Sequence, residues 1–253
     1  MENYNRTPGF TDFTVIESKQ IPAGAISKKY MSGVFLWMFA ALAVSTIFAF
    51  LFSANAELAS YLYQITDRGP RLSGLGMIVA FAPLAFVLVM SFGLARLSST
   101  ALSAIFIAYA AVMGMSLSTL LITYTSGSLI GCFGSASVMF GVMALMGYTT
   151  EKDLTSFGSL MIMGLVGIVI ASMINFFIHS DGMNYIISII GVAVFLGLTA
   201  YDVQKLKRIG AGIEFEGTAA SDTRKLMVMG ALSLYLDFIN LFLFLLRLFG
   251  KRK

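Results

Sequence analysis

The chain has 253 residues, 58% of them hydrophobic and only 12% charged, with a formal net charge of +4 and a mean hydropathy of +0.85. Soluble globular domains carry about a quarter charged residues, so this composition excludes them and describes an integral membrane protein. The 17 Lys and Arg are dispersed among connections rather than gathered into a patch with stacking aromatics, which argues against a nucleic-acid partner.

Residues 1–29 are polar and of mixed charge and read as a cytoplasmic N-terminal arm; 30–253 reads as a single transmembrane domain. Apolar runs fall at 30–53, 75–95, 100–122, 128–148, 157–178, 183–203 and 226–249. Each approaches the roughly 20 residues that a helix needs to cross a bilayer core about 30 Å thick. Segments alternating with period two, as in an outer-membrane barrel, are missing, so the spans are helices. The fold class is therefore an all-α integral membrane protein with seven transmembrane helices.

The first run is too long for the apolar region of a signal peptide, although Ala54-Asn55-Ala56 imitates a cleavage site, and it reads as an uncleaved span. Residues 54–74, with Pro70, read as a short external loop, and 123–127 and 179–182 as tight helical hairpins. Thr150 stands three residues before Asp153, the spacing of a helix capping box. Segment 209–224, rich in Gly and Ala, reads as a flexible cytoplasmic loop; its acids Glu214, Glu216 and Asp222 lack the spacing of an EF-hand. Cys132 and His179 are each the only residue of their kind, which leaves no intrachain disulfide and no ordinary zinc site, and no cofactor is expected.

Lys and Arg are distributed unevenly. The N-terminal arm and the second, fourth and sixth connections hold eleven between them, against Arg68 and Arg71 in the odd connections, which predicts a cytoplasmic N-terminus. The basic tail, Arg247, Lys251, Arg252 and Lys253, conflicts with an external C-terminus, and a last run broken at Asp237 that re-enters the membrane is the alternative.

Asp237 is the most informative residue, since it sits at the centre of a 24-residue run, 226–249, that is otherwise almost purely Leu, Phe, Met, Val and Ile. A carboxylate there costs about 2.5 to 3.5 kcal/mol on insertion scales, so function is the default reading. Gly230, Ser233, Asp237, Asn240 and Arg247 share one helical face, the small and polar stripe of a helix packed among others. Asp202, at the end of the sixth run on a face with Thr199, Phe195 and Ser188, is the candidate partner. Two carboxyls in one dry site cannot both be charged readily, so they share a proton and the pair changes state with pH. Arg96, the lone cation at the end of the second span, either snorkels to the interface or latches the pair through its bidentate fork.

The stretches GYTTEKDLTSFGSLMIMGL at 147–165, FLGLTAYDVQKL at 195–206 and LSLYLDFINLFLFLLRLFG at 232–250, with seven spans of matching size, resemble the Bax inhibitor-1 (transmembrane Bax-inhibitor-motif) family over roughly residues 28–253. The resemblance implies two three-helix layers around a central seventh helix that spans the membrane. It further implies a bacterial inner-membrane protein that is a pH-sensitive calcium leak channel, with Asp202 and Asp237 as the hydrogen-bonded pH sensor and transient calcium ligands, and Arg96 as their latch. The chain departs from some members in having no acid between Ala80 and Met90, so an external calcium site is not carried over. Protons, calcium and the lipid bilayer are then its partners, with calcium a permeant ion.

Three other functions compete. Intramembrane aspartyl proteolysis fails because Tyr235-Leu236-Asp237 is not GxGD and no Pro-Ala-Leu follows, and the chain is not expected to be an enzyme. A regulatory interaction protein acting on cell-death or quality-control membrane partners would make the acids structural. A proton-coupled cation antiporter would build a gradient that a leak dissipates.

Overall fold

A computed structural model describes residues 24–66, 69–217 and 219–253. Seven long apolar helices form the bundle: α1 (Ala25–Ala54), α3 (Gly74–Gly93), α4 (Ser99–Thr123), α5 (Ser126–Thr149), α6 (Thr155–Ile178), α7 (Asp181–Glu216) and α8 (Ala220–Phe249). Between the first two lie a short helix, α2 (Ala56–Leu62), and a hairpin of β1 (Tyr63–Thr66) with β2 (Gly69–Leu72).

Burial decides which helix is central. In the most apolar stretch of α8, 72% of residues are buried, against 11% in both α3 and α6. α8 packs on α1 and α4 from one three-helix layer and on α5 and α7 from the other, while α3 leans on α4 and α6 on α7 at the outer edges. Close approach within each layer depends on missing side chains. A Cβ on Gly114 would run into the Ser45 carbonyl where α4 meets α1, and one on Gly147 into the Ala200 carbonyl where α5 meets α7.

Four expectations change. α7 does not end near 203; it continues to Glu216, and the chain reverses at Gly217, whose φ of 66° suits glycine, before α8 begins at Ala220. The expected 209–224 loop is therefore mostly helix. Its Gly and Ala content disguised it, and distant contacts hold it: the Glu214 carboxylate accepts from the amides of Gly24 and Ser27 (3.2 Å for the latter), capping the first turn of α1 with a negative charge where the helix dipole favours one. Further down, Gln204 accepts from the Leu154 amide at 2.9 Å and donates to the Lys152 carbonyl at 2.7 Å.

Second, α8 is continuous through Asp237, which replaces the re-entrant alternative with a full span. The basic tail is held rather than loose: Lys251 and Lys253 pair by backbone with Thr125 and Thr123 at the α4–α5 turn, and the Lys253 ammonium caps the Leu121 carbonyl.

Third, the 150–154 turn does not form the capping box. Thr150 Oγ1 accepts from the Lys152 amide, while Asp153 accepts from both the amide and the hydroxyl of Thr155 and from Arg208 at 2.7 Å. The carboxyl of Asp153 is held well below the usual carboxylate range, first by the Thr155 hydroxyl and then by the Arg208 guanidinium.

Fourth, residues 54–74 are not a short loop. Asn55 caps α2 through the amides of Glu57 and Leu58, and Tyr63 fastens the hairpin to α4 through a 2.7 Å bond with Ser118. At the N-terminus, α1 begins at Ala25, so the end of the expected 1–29 arm is helical, and its residues 1–23 lie outside the described part.

Candidate functional site: a buried carboxyl in the central helix

Asp237 sits about 4 Å along the axis from the midpoint of α8, at 1.5 Å per residue. It is only 5% exposed, and its Oδ2 has no hydrogen-bond partner. Ser233 and Asn240 stand one turn before and after it on the same face, yet neither donates to Oδ2, and the Asn240 amide is spent on the Leu236 carbonyl.

The longer α7 changes the position of Asp202. With the helix running from 181 to 216, Asp202 stands about 5 Å from its midpoint, rather than near its end, and needs no unusual tilt to match the depth of Asp237. The two carboxyls lie within range of each other's charge across the α7–α8 contact. Ser233, one turn before Asp237 on the same face, is a neighbour of Asp202 but forms no hydrogen bond with it, and Lys205 is the nearby cation.

The other stripe residues serve their own helices. Thr199 Oγ1 donates to the Phe195 carbonyl at 2.7 Å, and Asn240 Nδ2 to the Leu236 carbonyl at 2.8 Å, so neither supports the acid pair directly. Arg247 is exposed and lies over the Phe244 ring at 5.5 Å. Among the described residues no three His, Cys, Asp or Glu side chains come together. Two carboxyls offer a cation only part of the six to eight oxygens that calcium takes. A cation at the pair would have to take most of its remaining ligands from water.

Residues 27–253 match the family model described as "Inhibitor of apoptosis-promoting Bax1", or Bax1-I. The chain belongs to the Bax1-I family. Among its relatives is the inner membrane protein YbhL of Escherichia coli (strain K12), 42% identical over 224 residues that cover 88% of this chain and 92% of that one. An uncharacterized protein of Borreliella burgdorferi is 39% identical over 90% of this chain and 94% of its own length. Another, from Caulobacter vibrioides, is 36% identical over 99% and 98%.

In this Bax1-I bundle Arg96 is exposed in the 94–98 turn between α3 and α4, and makes no ion pair with Asp202 or Asp237. A feature missed from sequence is the anchor on the other side of α8. Ser45 of α1 donates to the Ala110 carbonyl of α4 at 2.7 Å, and its single proton being used there, Tyr235 donates to Ser45, also at 2.7 Å. Tyr235 packs edge-on to Tyr109 at 5.4 Å and to Phe106 at 6.3 Å. A tyrosine inside an apolar run carries no signal of its own; only the coincidence of Ser45 with Gly114 across the α1–α4 contact hints at it.

Proposed function

We propose that this Bax1-I protein is a pH-sensitive leak pathway for cations, calcium above all, across the bacterial inner membrane, with Asp202 and Asp237 as its gate. The observation that carries the reading is the partnerless Oδ2 of Asp237, sealed in the central helix within reach of a second acid. A buried carboxyl left so is expensive unless the molecule uses it.

The step follows from charge. In the closed bundle the buried Asp237 and the half-buried Asp202 hold one proton between them, because two negative charges at close range in low dielectric repel strongly. A change in proton load alters the repulsion between α7 and α8 and so the packing of the helix that fills the bundle. The freed carboxylates then present hard oxygens to a passing cation, whose remaining ligands are water. Arg96 enters as a latch only if the α3–α4 turn moves towards the acids. The cytoplasmic placement of the N-terminus rests on the bias of Lys and Arg, which survives in the fold because Lys205, Lys207 and Arg208 extend α7 at the end where α1 begins. No step in this reading makes or breaks a covalent bond, so the protein is proposed not to be an enzyme.

Calcium and sodium flux in proteoliposomes across about pH 6 to 8 tests it. The wild type should conduct in a pH-dependent manner, and Asp202→Asn or Asp237→Asn should flatten the response. An unchanged pH profile in both variants would sink the switch. Accumulation against the gradient would replace the leak with an antiporter, and purified protein that conducts nothing would leave the interaction role.

A further inference from the structure

The two three-helix layers do not close completely over α8. Between α1 and α5 lies a groove of about 800 Å³, walled by Met31, Phe35, Phe140 and Ala144 and floored by Phe238 of the central helix. It opens on the flank of the bundle, since Phe39 and Leu145, which also line it, are 61% and 66% exposed. At this depth the surroundings are lipid.

The chemistry of the walls is graded from end to end. Lys28 is the charged residue that lines the groove, at the end where α1 begins. Tyr148 lines the same end, and the Lys207 ammonium lies 5.2 Å from its ring centre and donates to its carbonyl at 2.8 Å. Deeper in, the two hydroxyls on the walls are already used: Thr46 donates to the Leu42 carbonyl and Ser137 to the Phe133 carbonyl. A path for water or ions would need polar groups turned inward, and this groove turns them away. One cation lining the mouth, a second beside it on Tyr148, and a dry, apolar remainder match an amphiphile with one anionic head and a long tail.

Along α1 the lining runs from Lys28 to Thr46, about 27 Å, so a single acyl chain occupies only the half that begins at Lys28. From Lys28, one leaflet of the hydrocarbon core, about 15 Å, corresponds to about ten residues of α1. That reaches Met38, and a similar distance along α5 from Tyr148 reaches Phe140, which stacks edge-on to Phe238 at 5.6 Å.

We propose that this groove binds one acyl chain of an anionic phospholipid, its headgroup phosphate held at Lys28 and Lys207 and its tail lying against Phe238. The site is independent of ion conduction, but its floor residue follows Asp237 directly in the chain, so an occupant touches the helix that carries the acid.

Gly141 provides the test, because it lines the groove and a Cβ there meets nothing within 4 Å. Gly141→Leu fills the groove without disturbing the core; Gly134→Leu, also in open space but off the groove, adds the same bulk elsewhere. Native mass spectrometry of detergent-purified full-length protein, titrated with phosphatidylglycerol and with phosphatidylcholine of equal chain length, reads the lipid directly. The expected result is a retained phosphatidylglycerol adduct in the wild type and in Gly134→Leu, lost in Gly141→Leu. Lys28→Gln should lower the preference for phosphatidylglycerol about fivefold, the worth of one lysine at an anionic headgroup. Equal adducts in Gly141→Leu and wild type would overturn the site, and so would equal retention of the two lipids by wild type. The same spectra report mass: a dimer lost in Gly141→Leu with lipid unchanged would assign the groove to a second copy instead.

Discussion

The two sides of α8 are built on opposite terms. Towards α1 and α4, Tyr235 donates into a bonded chain that ends on a backbone carbonyl and is walled by aromatic rings. Towards α7, two residues further along and so on another face, Asp237 carries a carboxyl with an orphan oxygen. One face fixes the helix with a neutral, directional bond that pH does not alter. The other holds a group whose charge, and hence whose fit, depends on a proton. In the proposed gate, α8 pivots on the fixed face when the proton load of the other changes.

That contrast is open to attack, beginning where the effect should be largest. Gly114→Val drives a side chain into the Ser45 carbonyl and should cost about 3 kcal/mol, the upper end for overpacking, seen as loss of monodisperse protein on heating in detergent. Asp237→Leu should instead raise thermal stability, by about 1 to 3 kcal/mol, since an unsatisfied buried polar atom is removed and apolar volume kept, while the pH response of flux disappears. A less stable protein would mean that the carboxyl is well accommodated and the two faces alike. Tyr235→Phe should lower stability by only about 0.6 to 1.5 kcal/mol and leave the pH profile of flux intact. A shifted profile would show that the faces are not separable.

The smallest effect lies outside the membrane. Asp153 is bonded by Thr155 and Arg208, which hold its carboxyl below the usual range. A lowered folded value means that its contribution is complete above the unfolded value of about 3.9 and declines as pH falls below that. Asp153→Asn should therefore lower the melting temperature slightly at neutral pH, with a difference that shrinks on acidification below about pH 4.

Most of the spans could be read from hydropathy, and Asp237 from its incongruity, because both signals are local in the chain. The extension of α7 could not. IGAGIEFEG has the composition of a loop, and what makes it helical is Glu214 meeting the first amides of α1 from 187 residues away and more. Asp202 was consequently placed near the end of its helix when it stands near the middle. The capping box failed for a related reason: Asp153 found Arg208 on another helix, and Thr155 two residues on, rather than its sequence partner Thr150. Ser233 was part of the expected stripe and does approach Asp202; Thr199 and Asn240 fitted the same periodicity yet bond to their own backbones, a choice that spacing alone does not reveal.

The enclosed position of α8 also bears on how the molecule is made. It follows in the chain every helix it packs on, α1, α4, α5 and α7, and the two outer ones as well, so it is the last of them to be synthesised. The two layers must then stand apart, or separate again, to admit it. Construction runs from shell to centre, and until the last span arrives the outer helices have only lipid to fill the place of their core.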